Sequence, residues 1–95
     1  MNEYKNLYVI SYDIPKDRTR NRVSKVLEGF GQRVQYSLFE CRLNNTQLQM
    51  LKVKLMKLIN NNEDSIIIYR LTPEAQRFVE YIGLKKHFDE DIFYV

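Results

Sequence analysis

Asp13 closes an apolar, β-branched run, and five cations follow it within twelve residues: Lys16, Arg18, Arg20, Arg22 and Lys25. A carboxylate at a strand end can serve as a ligand for a hard divalent cation, and clustered guanidinium groups can bind phosphate oxygens. The pairing points to chemistry on a phosphodiester. Residues 16–25 hold those five cations against one acid, Asp17, a local net of +4; the other 85 residues of a chain with net charge +3 therefore sum to −1. A basic segment on a near-neutral body is the electrostatic footprint of a phosphate-binding surface. Two plainer readings stand beside these. Asp13 can simply stop the strand and accept hydrogen bonds in the Ile14-Pro15 turn, and the cations can be a solvated helix face.

Other chemistries are closed. His87 is the only histidine, so one chain cannot build a two-histidine acid–base ribonuclease site. There is no glycine-rich phosphate loop, zinc-ligand spacing or nucleophile elbow. VQYSLFECRL lacks the glycines of an RNA-recognition motif. Cys41 is the only cysteine, which rules out a disulfide framework within one chain and suits a reducing cytoplasm. The longest apolar run is four residues, so no membrane span is expected, and the opening MNEYKN lacks the pattern of a signal peptide.

The elements that must position these residues follow from periodicity. Leu7–Tyr12 reads as a strand that Pro15 forbids from continuing. Val23, Val26, Leu27 and Phe30 have helical spacing, with Asp17 as a possible cap and Gly29 and Gly31 bracketing the end. Arg20 and Arg22 then fall in the first turns, where cations oppose the helix dipole unless an anion docks there. GQRVQYSLFECRL is extended, with a reversal near Gln35–Ser37. Thr46 and Gln49 have capping-box spacing ahead of a stripe of Leu48, Leu51, Leu55, Leu58 and Ile59, and SIIIYRL is another strand. TPEAQRFVEYIG carries both helix signals and, from Phe78 to Ile82, strand signals. The order is α+β, βαββαβ: one ferredoxin-like domain over residues 1–95 with both helices on one face. Alternation puts Leu7, Val9, Ser11 and Asp13 on the face away from the helices. A sheet-to-sheet homodimer would cover that face and bring two copies of Asp13 together.

YVISYDI, RNRV and GFGQRVQYSLFECRL together resemble the CRISPR-associated protein 2 family, the small dimeric partner of the CRISPR integrase, and the likeness continues through DSIIIYRL and TPEAQRFVEYIG. The resemblance implies a homodimer with facing sheets, a strand over Phe78–Ile82, and an additional C-terminal strand in a segment of about 84–95 that crosses to the partner. It implies an Mg²⁺-dependent endonuclease, with Mn²⁺ as a substitute, acting on single-stranded RNA or double-stranded DNA. It also implies a bridge between integrase dimers in spacer acquisition. The family's metal-binding aspartate falls on Asp13, and its other functional positions on Tyr12, Arg20, Arg22, Arg33 and Phe39. Three functions remain in view. One is a metal-dependent nuclease in which paired Asp13 carboxylates hold the metal, Arg20, Arg22 and Arg33 grip the backbone, and Tyr12 and Phe39 shape the site. Another is a non-catalytic scaffold, a basic dimer whose Arg18, Arg20, Arg22, Lys25 and Arg33 bind nucleic acid, which tracks duplex DNA and docks the integrase with Asp13 structural. The third is a toxin-type messenger-RNA endoribonuclease.

Overall fold

Alternating Tyr, Val and Ile residues extend the backbone from Asn6 to Asp13 (β1), and Pro15, with no N–H to give, ends the ladder. The structure, a computed structural model, describes residues 4–84. After β1 come α1 (Asp17–Glu28), β2 (Gln32–Gln35), β3 (Leu38–Leu43), α2 (Asn45–Leu58), β4 (Ser65–Leu71) and one short helical turn, α3 (Pro73–Gln76). The strands form one antiparallel sheet in the order β2-β3-β1-β4. This is the split βαβ, ferredoxin-like sandwich expected from the element order. Among the described residues no helix is long and apolar enough to cross a membrane.

The core lies between the sheet and the two long helices. Tyr8, Ile10 and Tyr12 of β1 meet Val23 and Leu27 of α1, Phe39 and Cys41 of β3, and Leu48, Leu51 and Leu55 of α2. Fully burying such side chains contributes about 1.5–3 kcal/mol each. The helix starts differ from expectation. The capping box of α2 is formed by Asn44 and Gln47, not Thr46 and Gln49: Gln47 N donates to Asn44 Oδ1 at 2.8 Å and Asn44 N to Gln47 Oε1 at 2.9 Å. Asp17 does not cap α1. It occupies the first helical position, behind an N-cap Lys16 that has no side-chain capping bond, and its carboxylate binds Arg20.

The stretch after β4 settles into neither long element. Thr72 Oγ1 accepts from Ala75 N at 3.1 Å and Pro73 opens the turn, but α3 is only four residues long. The strand expected over Phe78–Ile82 does not form: these residues pair with neither edge of the four-stranded sheet. The expected C-terminal strand and crossing segment, from residue 85 onward, lie outside the described residues, as does His87.

The sheet's second face carries Leu7, Val9, Ser11 and Asp13, as alternation requires. Leu7 needs no second molecule: it is buried in a groove of its own chain with Val79 and Tyr81. Arg42 Nη2 donates to Gln76 Oε1 at 3.3 Å and helps tie α3 to this face. The uncovered apolar residues are instead Ile67 and Tyr69, 46% and 53% exposed, register partners of Ser11 and Val9.

Candidate nucleic-acid and metal site

Arg33 is the hub of the polar cluster that the fold assembles. It sits on β2 opposite Phe39 of β3, and its Cζ lies 4.9 Å from the centroid of the Phe39 ring. Stacked there, one guanidinium edge donates to the Tyr36 carbonyl and, at 3.4 Å, to Tyr12 Oη. The other edge donates to Ser24 Oγ and lies 3.8 Å from the Glu28 carboxylate. The planar, five-donor fork of arginine suits such a multi-element clasp, which a lysine ammonium does not match. The clasp joins α1, β2, β1 and the β2–β3 turn. Tyr12 completes it from β1: its hydroxyl donates to Tyr36 O at 3.4 Å, and its backbone N–H donates to Ser37 O at 3.2 Å.

Arg20 performs a parallel task one turn into α1. Its Nη1 donates to Ile14 O at 2.8 Å and to Pro15 O at 3.4 Å, and its Nη2 binds Asp17. The hydrogen bond that Arg20 donates to Asp17 holds the Arg20 pKa above its already high ordinary value, so the cation is permanent. Arg20 therefore fastens the β1–α1 corner immediately after Asp13. Arg18, Arg22 and Lys25 make no such commitments and are exposed. Tyr12, Arg20, Asn21, Ser24, Arg33 and Tyr36 line a small polar cleft of about 60 Å³ on the helix side of the sheet.

The residues singled out from the sequence thus divide between two faces. Tyr12, Arg33 and Phe39 come together on the helix side, with Phe39 fully buried as the ring under the guanidinium. Asp13 points the other way, toward the open sheet face, beside its register partner Ser65. It is exposed and has no hydrogen-bond or ion-pair partner among the described residues. Ser24 and Glu28 were missed. Ser24 occupies an apolar-stripe position next to Val23 and is buried, and a small polar residue in such a stripe is the signal that could have found it. Ser24 Oγ also donates to Glu28 Oε2 at 3.5 Å, one helical turn on.

No group of three or more His, Cys, Asp or Glu side chains comes together as a metal site among the described residues. At the end of β1, Asp13 supplies one uncommitted carboxylate. That donor set fits Mg²⁺, which takes one or two carboxylates and keeps several waters, better than it fits a cage-forming cation.

Fold and site define a class: a ferredoxin-like α+β domain with a basic first helix, an exposed strand-end carboxylate and an uncovered sheet face. The chain belongs to the family described as CRISPR associated protein Cas2, whose model matches residues 6–78. It is 50% identical over 77 residues to the CRISPR-associated endoribonuclease Cas2 3 of Synechocystis sp., covering 81% of this chain and 84% of that protein. The crystal structure of Streptococcus pyogenes Cas2 at pH 6.5 superposes with a TM-score of 0.74 at 32% identity, over 81% of this chain and 99% of that one. A chain of a partial Cas6-RT-Cas1–Cas2 complex superposes with a TM-score of 0.73 at 30% identity, over 81% and 90%.

Proposed function

We propose that this protein is a CRISPR adaptation nuclease that works as a homodimer, with its metal site completed by the Asp13 carboxylates of two subunits. The observation that carries this reading is the exposed, unpartnered Asp13 on the same sheet face as Ile67 and Tyr69. A second copy laid on that face buries the two apolar side chains, and a two-fold axis brings the two carboxylates toward each other. Two carboxylates in close quarters repel unless a cation lies between them. Asp13 of each subunit would hold Mg²⁺ or, in its place, Mn²⁺; when bound, the metal polarises a phosphodiester and activates water.

The chain's own residues supply binding and order. Arg18, Arg22 and Lys25 grip backbone phosphates with little base readout. Arg20 and Arg33 add charge to the same surface while fixing the β1–α1 corner and the β2–β3 turn. The endoribonuclease name of the Synechocystis relative supports RNA cleavage, and duplex DNA remains the second substrate class. The likeness to a Cas1–Cas2 complex supports an integrase subunit as partner. β4 is an edge strand, and Met56, Ile59, Ile66 and Ile68 line an apolar groove of about 170 Å³ beside it. That edge is open to a strand added by a partner. The buried Cys41 thiol fits a cytoplasmic setting.

A second reading is favoured by one specific observation. A single carboxylate, Asp13, at the proposed metal position and no three-ligand cluster among the described residues suit a scaffold that only binds nucleic acid and joins integrase subunits. Asp13→Asn separates the two. It removes both charges per dimer with little change of shape, so strand cleavage should fall to background, as it should with chelator, while duplex binding persists. Full cleavage by Asp13→Asn would leave Asp13 as a strand terminator.

A further inference from the structure

We propose that the ring of Tyr36 is a stacking platform for an unpaired nucleobase, so that a single strand docks on the helix side of the sheet with its backbone beside Arg20 and Arg33. This deepens the nucleic-acid reading above and rests on it.

Tyr36 is 74% exposed, yet its backbone is held firmly. Its carbonyl accepts from Tyr12 Oη and from Arg33 Nη1, and the neighbouring Ser37 carbonyl accepts from Tyr12 N. A two-residue turn pinned by three hydrogen bonds therefore presents a large ring to solvent. A tyrosine with only two side-chain torsions loses little entropy on stacking. The ring is also in cationic surroundings, since Tyr36 lines the polar cleft with Arg20 and Arg33.

Chemistry decides what sits where. The cleft is small and polar and is lined by two guanidinium groups, which suit phosphate oxygens. The face that a base can stack on is the exposed ring beside it. In a duplex the base faces are already stacked on each other, so the platform favours single strands over double strands. The cleft is on the helix side, opposite Asp13, and a partner packed on the open sheet face leaves Tyr36 uncovered.

The sequence contains no tryptophan, so Tyr36→Trp installs a unique fluorophore. With chelator present, wild-type, Tyr36→Ala, Tyr36→Phe and Tyr36→Trp proteins are titrated with a single-stranded RNA of about ten nucleotides, an abasic strand of the same length and a duplex. Tyr36→Ala should weaken RNA binding about tenfold and leave abasic-strand and duplex binding unchanged, with Tyr36→Phe retaining the affinity. The fluorescence of Tyr36→Trp should be quenched by RNA and not by the abasic strand. Equal losses by Tyr36→Ala on all three ligands, or absence of base-dependent quenching, would overturn the platform while leaving phosphate binding intact. Failure of the wild-type protein to bind any of the three would overturn the platform and the nucleic-acid reading together.

Discussion

Arg33 shows how one side chain can organise a site through contacts within its own chain. Its stacking on Phe39 and its contacts to Ser24, Glu28, Tyr12 and Tyr36 use most of its donors within the chain. Cys41 is a residue of the opposite kind, apolar in effect and inert. It is fully buried, and desolvation pushes its thiol up to about 12 from an ordinary 9.0. The unfolded chain releases that proton as pH rises past 9.0, while the folded chain keeps it until about 12, so stability is full below the first value and falls between the two. Urea melts from neutral pH upward should show a steeper alkaline decline in wild type than in Cys41→Ala, after each is referred to its own neutral value. Superimposable declines would refute the assignment. At this scale alternation alone placed Tyr12 in the core and Asp13 on the open face. Ser24 escaped because its partner, Arg33, is nine residues away on another element.

The elements were legible where a stripe defines them and blurred where two signals overlap. NNTQLQ offers both Asn44–Gln47 and Thr46–Gln49 as capping pairs, and either start leaves Leu48, Leu51 and Leu55 on the core face. Periodicity therefore identified α2 and its buried side but not its first residue. TPEAQRFVEYIG contains a real cap at Thr72, yet the helix stops after four residues. The glycines after α1 have roles that no pattern separates. Gly29 is right-handed, with a φ of −77°, and a Cβ there would meet only Val26 O at 3.4 Å. A Cβ on Gly31 would lie 2.3 Å from Glu40 O and 2.5 Å from Cys41 Sγ, immediately before β2 pairs with β3. Gly31→Ala should cost about 1–3 kcal/mol as an overpacking change. Gly29→Ala should stay within about 0.5 kcal/mol of wild type. Equal urea midpoints for the two variants would contradict this account of the β2–β3 approach.

For the whole molecule, the sheet's open face is the unfinished surface. The sequence pointed to Leu7 and Val9 as its uncovered residues, but Leu7 is covered by residues 79–81 of its own chain, a packing that depends on where the chain returns after α3. Ile67 and Tyr69 carry the exposed area instead. Ile67→Asp should therefore convert a dimer to a folded monomer in sedimentation equilibrium at micromolar concentration; an unchanged dimer would move the interface elsewhere. The most direct measurement of the central claim mixes wild-type and Asp13→Asn subunits after co-refolding and reads strand cleavage against composition. If cleavage needs a carboxylate from each subunit, activity follows the square of the wild-type fraction, and an equal mixture retains about one quarter of it. Activity that falls in direct proportion, with about one half remaining, would mean that each subunit cuts alone and that the shared site does not exist.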